Sequence, residues 1–182
     1  MQLKTALLTA ALAAAGISAQ SFAAAPPAPN GTATGSFNVT ANVVASCKVV
    51  STADINFGNY DPANVNNTTP LNNNAGSVTV RCTKNTLAYV SLQQGSNPGS
   101  SSTCVAPARQ MKDTAGDLLA YSIYQDSGYS NVWGCDSTNS QSFTSTSVNT
   151  PKVYTLYGQI PAGQDVPPAS TYKDTVTTTV SF

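Results

Sequence analysis

The stretch Gly35-Ser36-Phe37-Asn38-Val39-Thr40-Ala41-Asn42-Val43 alternates without a break. Phe37, Val39, Ala41 and Val43 fall on one face, and Ser36, Asn38, Thr40 and Asn42 on the other. A period of two marks a β-strand that buries one of its faces. The stretch stands near the start of the chain, behind a Pro/Ala-rich lead over residues 24–34 that is expected to be flexible or polyproline-like. A strand on a loose tether can join its own sheet as an ordinary first strand. It can also leave and add to the sheet of another molecule. The pattern by itself allows both.

Upstream of the lead, residues 1–23 read as a secretory signal. Lys4 supplies the charged start, Leu7 to Ile17 an apolar run, and Ser21-Phe22-Ala23 the small residues before cleavage. The apolar run is short for a membrane span, so a retained anchor is the weaker expectation. Cleavage leaves about 160 residues, enough for one domain with a real core. The exported chain is therefore expected to be soluble.

Charge is sparse. The 182 residues hold 8 Lys and Arg, 8 acidic residues that are all Asp, and no His. With no basic face, nucleic acid is not an expected partner. Weak charge suits close self-association, although a secreted β-protein with a Thr-rich surface explains it equally well. The lack of His removes the common Ser–His and Cys–His nucleophile pairs. No pair of Asp residues is marked as a glycosidase couple, and no Gly-rich phosphate cradle leads into a helix. An enzyme is not expected, nor is any cofactor.

The four cysteines, Cys47, Cys82, Cys104 and Cys135, follow a signal and contain no C-x-x-C spacing, which favours two disulfides over zinc. Three pairings are possible. Cys47–Cys82 with Cys104–Cys135 is favoured, because sequential pairing staples neighbouring strands or a loop. Each bridge would contribute roughly 3–4 kcal/mol by the loop-closure argument.

Short alternating runs separated by turn residues make up the remainder. Strands are predicted over Ser46–Val50, Asp54–Phe57, Gly76–Cys82, Leu87–Gln93, Leu118–Gln125, Val153–Ile160 and Thr171–Phe182, with Trp133-Gly134-Cys135 ending another. The buried faces are Val78, Val80 and Cys82; Ala88, Val90 and Leu92; and Leu119, Tyr121 and Ile123. The final strand offers Tyr172, Val176, Val180 and Phe182. Gly58–Pro62 reads as a turn, and Val65–Ala75, Gln94–Thr103 and Asp136–Thr150 as loops. The expected fold is an all-β sandwich, immunoglobulin-like in architecture. The last strand is expected to run to Phe182, with nothing after it to supply a further strand.

The ordered pieces resemble the spore coat protein U family, which includes pilin subunits of archaic chaperone–usher pili. They are Gly35–Val43 running into Ser46-Cys47-x-Val49, Ile55-Asn56-Phe57-Gly58-Asn59-Tyr60-Asp61-Pro62, Val78-x-Val80-x-Cys82, Arg109-Gln110-Met111, Leu119-x-Tyr121-x-Ile123-Tyr124-x-Asp126, Tyr157-Gly158-Gln159-Ile160-Pro161-Ala162-Gly163-Gln164 and Tyr172-x-Asp174-Thr175-Val176. The resemblance implies an incomplete immunoglobulin-like sandwich over 44–182, completed by donor-strand exchange. Residues 35–43 would be the donor, with Phe37, Val39, Ala41 and Val43 filling a neighbour's groove. Val176, Val180 and Phe182 of the terminal strand would line the acceptor groove. The implied partners are a periplasmic chaperone, an outer-membrane usher and homologous or identical subunits. The implied place is the periplasm in transit and then a surface fibre supporting adhesion and biofilm growth.

A spore- or cell-coat protein using the same exchange is one rival. A secreted carbohydrate-binding sandwich is another, with Tyr121, Tyr124, Tyr154, Tyr157 and Trp133 as a platform. Asp113, Asp117 and Asp126 could in principle bind calcium, but they lack calcium-loop spacing, and Asp113-x-x-Gly116-Asp117 reads as a turn. The sequons at Asn38 and Asn67 carry little weight in so Asn/Thr-rich a chain.

Overall fold

A computed structural model describes residues 30–182. The signal segment 1–23 and the first part of the lead lie outside the described residues. Eight strands are assigned: β1 Cys47–Ala53, β2 Leu71–Cys82, β3 Leu87–Leu92, β4 Arg109–Lys112, β5 Leu118–Tyr124, β6 Gln141–Thr144, β7 Lys152–Ile160 and β8 Thr178–Ser181. One 3-10 turn, Val65–Asn67, precedes β2. Among the described residues no helix is long and apolar enough to cross a membrane.

The strands form two antiparallel sheets, ordered β1-β2-β7-β5-β4 and β6-β3-β8. The pleat aims alternate side chains between the sheets, and those positions are the apolar ones. Val78, Val80 and Cys82 of β2, Ala88, Val90 and Leu92 of β3, and Leu119, Tyr121 and Ile123 of β5 are buried together with Tyr154, Leu156 and Ile160 of β7. This is an all-β sandwich of immunoglobulin-like build. Trp133 lies at its centre. Its indole Nε1 donates to the Val90 carbonyl at 2.9 Å, and its ring meets Tyr154 edge-on at 5.5 Å.

Residues 35–43, described by themselves, are assigned to no strand, and the side chains of both faces are exposed; an alternating segment is a paired strand only where it has a ladder partner. Several local expectations in the rest of the chain are corrected. Asp54–Phe57 is unpaired backbone. It packs instead through Ile55 and Phe57, which Gly158 admits: a Cβ there would stand 2.8 Å from the Phe57 ring.

Strand β2 starts at Leu71, inside the Asn-rich stretch read as loop. A register shift between Asn73 and Gly76 absorbs the irregularity, and the Asn73 amide donates to the Asn56 carbonyl at 2.8 Å. The 136–150 connection contains β6. Around Trp133 there is no strand, only a bridge between Val132 and Tyr124. Its burial comes from docking of the indole rather than from a ladder. Strand β4, at four residues, is too short to show a period along the sequence.

The predicted terminal strand over 171–182 is paired as a strand only from Thr178. Before that, Lys173 bridges Lys112 of β4 in the five-stranded sheet. Strand β8 then pairs with β3 in the other sheet. The segment between them crosses from sheet to sheet, so one continuous ladder is impossible.

Candidate functional site

Strands β1 and β8 are edge strands of different sheets and lie beside one another. An antiparallel sandwich with two adjacent open edges leaves backbone donors and acceptors without ladder partners. Beside them the sandwich holds a cavity of about 510 Å³. Its floor is apolar core: Val78, Leu92, Ile123 and Leu156. Its rims are Thr52 to Ile55 with Phe57 on one side, and Tyr172 to Val176 with Thr178 on the other. Met111 and Tyr121 complete it.

The terminal-segment residues divide. Val176 is half-buried and lines the cavity. Val180 is half-buried against the core and pairs with Val90. Phe182 is 60% exposed and lies at a second depression with Val43, Val44 and Leu87, away from the main cavity's lining.

The side of the cavity formed by residues 172–178 is held by polar bonds. The Asp174 carboxylate accepts from Tyr121 Oη at 2.7 Å, the Ser96 N–H at 2.8 Å and Asn97 Nδ2 at 3.3 Å. Arg109 is buried, and its guanidinium donates to the carbonyls of Leu92, Gln93 and Trp133 at 3.0, 2.9 and 2.8 Å. Burial pushes its pKa down to about 10, against the opposing pull of Tyr121 and Asp174. Burial, then the bond and the charge of Asp174, push the Tyr121 phenol far up. The phenol is therefore a permanent donor to Asp174 at neutral pH. Arg109 and Asp174 carried no role on sequence grounds beyond membership of the quoted motifs, and Tyr121 only those of an inward-facing strand residue and a platform aromatic. Their joint position depends on three separate segments meeting.

Of residues 35–43 described by themselves, Phe37, Val39 and Val43 are 86%, 85% and 78% exposed, and Ala41 is exposed too. The cysteines are joined as Cys47–Cys82 and Cys104–Cys135, across sequence separations of 35 and 31. Cys47 and Cys82 are direct cross-strand partners, so the bridge ties the start of β1 to the end of β2. The second bridge joins the loop before β4 to the loop after Trp133, where Asn139 Nδ2 also donates to the Cys104 carbonyl at 2.9 Å.

The aromatic residues do not form one platform. Trp133, Tyr121 and Tyr154 are core. Tyr124 and Tyr157 are cross-strand partners outside it, with Tyr129 edge-on to both at 5.6 and 6.4 Å. The acidic loops close on themselves. Asp113 accepts the N–H groups of Ala115, Gly116 and Asp117. Asp126 accepts from Asn131, Ser130 and Gly128, which hold its carboxyl below the usual range. Among the described residues no group of three or more metal-ligating side chains occurs.

The described residues thus form an open-edged β-sandwich with a cavity along that edge. The chain belongs to the Spore Coat Protein U domain family, whose model it matches over residues 33–179. It is similar to "Protein U" of Myxococcus xanthus, at 38% identity over 174 residues, covering 93% of this chain and 96% of that protein. It is also similar to a chain in the crystal structure of the CsuC-CsuE chaperone-tip adhesion subunit pre-assembly complex from archaic chaperone-usher Csu pili of Acinetobacter baumannii. There the TM-score is 0.50 at 32% identity, covering 77% of this chain and 40% of that one. This chain thus spans about two fifths of its structural neighbour's length.

Proposed function

We propose that this chain is a structural subunit of an archaic chaperone–usher fibre, exported behind residues 1–23 and polymerised by strand exchange. The observation that carries the reading is the cavity with an apolar floor beside the open edges of β1 and β8, in a chain that also bears an unpaired alternating segment. Residues 35–43 are the donor and 44–182 the acceptor sandwich. Phe37, Val39, Ala41 and Val43 enter a second copy's cavity, whose sides include Val176. Val180 backs that side from the core, and Phe182 follows β8 at the second depression.

The chemistry matches. Residues 24–47 carry no charged side chain, and the cavity floor is aliphatic. Burying Phe37, Val39 and Val43 would contribute about 1.5–3 kcal/mol each, before ordering costs. A head-to-tail contact need not close on itself, so it propagates as a fibre. An unfilled cavity beside bare edges is an aggregation hazard. A periplasmic chaperone that lends a strand meets this hazard, and an outer-membrane usher exchanges it for the next subunit. Support of adhesion and biofilm growth at the cell surface follows from a fibre of this kind.

The test is co-expression with candidate periplasmic chaperones, with the masses of complexes and polymers measured. A chain lacking 35–43 should still bind chaperone yet fail to insert into a neighbour. Normal polymerisation by that truncation would overturn the donor assignment. The family's spore-coat name and the likeness to Protein U favour a second reading, a coat protein using the same exchange. Chaperone and usher genes beside this one would decide for the fibre.

A further inference from the structure

We infer that Asp174 is the positioning residue that keeps the acceptor cavity open until a strand arrives, with Tyr121 and Arg109 as its supports. The inference rests on the acceptor reading above and goes beyond it, because it concerns how an unfilled cavity avoids closing on itself.

The segment that changes sheets is backbone-paired on either side of the crossing. At Lys173 it exchanges two hydrogen bonds with Lys112, and the Gln93 N–H donates to the Thr177 carbonyl at 2.9 Å. Between them stand Asp174, Thr175 and Val176, all lining the cavity. A cavity with an aliphatic floor facing water draws an adjacent segment inward, since collapse removes apolar surface from solvent. Asp174 resists this by tying the segment to two other parts of the chain. Its carboxylate is bound to the Tyr121 hydroxyl of β5 and to Ser96 and Asn97 of the loop after β3. Ser96 Oγ adds a bond to the Thr175 carbonyl at 3.2 Å.

The loop itself cannot drift. Arg109 grips the Leu92 and Gln93 carbonyls from β4, and the same guanidinium grips Trp133. Gly95, in the left-handed region at φ +86°, leaves room for the carboxylate: a Cβ there would collide with Asp174 Oδ2. Val176 is thereby placed on the cavity side by groups that lie on three different elements.

The experiment uses the full exported chain and a fluorescent peptide copying residues 35–46 as probe. Peptide association and dissociation rates are followed separately. Asp174→Ala should slow association about tenfold, the scale of a lost charge-assisted bond, while dissociation of bound peptide changes less than about threefold. Tyr121→Phe, which keeps the ring's packing and removes one bond, should give a smaller slowing in the same direction. Asp174→Asn, which keeps an acceptor for Ser96, should restore most of the association rate.

General loosening would instead raise dissociation together with slowing association, and that result overturns the inference. So would uptake at the wild-type rate by both Asp174→Ala and Tyr121→Phe. If Asp174→Ala does not fold, Tyr121→Phe and Gly95→Ala carry the same comparison. A wild-type chain that takes up no peptide would sink the acceptor reading itself. Normal wild-type uptake with unaffected variants would sink only the role of Asp174.

Discussion

Tyr154 shows how a single buried group couples this fold to alkaline pH. Its ring packs between Trp133 and Phe143, and burial raises its phenol to about 12. An unfolded tyrosine ionises near 10. Between pH 10 and 12 the unfolded chain therefore holds fewer protons at this site than the folded one, and stability falls as pH rises. Arg109, lowered to about 10, acts with the opposite sign over the same range. Comparing Tyr154→Phe with the parent isolates the tyrosine. In denaturant titrations the variant should lose less stability between pH 10 and 12, and an identical pH slope would refute the assignment. A steric case stands beside it. Gly158→Val puts two methyl groups where Ile55 and Phe57 pack, and should cost about 1–3 kcal/mol in chemical unfolding.

The segment 35–43 makes its prediction as an element, through its two faces. Val39→Asp or Phe37→Asp places a charge where an apolar pocket is proposed, so either should abolish fibre assembly. Asn38→Asp, on the other face, should leave assembly within about twofold of the parent, the scale of a surface change. The readout is polymer length on native gels after chaperone release. Equal loss from both faces would reject the register. The same period of two elsewhere made β2, β3 and β5 legible, because Val78, Val90 and Tyr121 have inward neighbours on their own strands. It did not reveal β4, whose four residues are too few to show a period, nor the end of pairing before Thr178. Those boundaries are set by which edge is available for pairing.

Across the whole molecule, the Cys47–Cys82 bridge lies where the proposed donor enters its own sandwich. A force applied along 35–43 would reach β1 first, and the bridge passes it to β2, which sits between β1 and β7. Cys47→Ser should therefore lower the force at which a fibre subunit yields, and should lower stability by roughly 3–4 kcal/mol by the loop-closure argument. Single-molecule pulling of fibres with and without the substitution checks it. Unchanged yield force would show that load bypasses β1. The Cys104–Cys135 bridge ties loops, so Cys104→Ser should affect stability more than fibre strength.

Period-two hydrophobicity, turn residues and four cysteines were enough, read in order along the chain, to specify a two-sheet β-sandwich and most of its inward faces. Such patterning is local: the pleat converts residue spacing directly into sidedness. Where pairing stops is a different kind of fact. Only the folded molecule leaves β1 and β8 as adjacent edges beside a cavity with an apolar floor, sends the terminal segment from one sheet to the other, and brings Tyr121 of β5 onto Asp174 of the terminal segment. Those features depend on which distant segments meet, and no spacing along the chain records that.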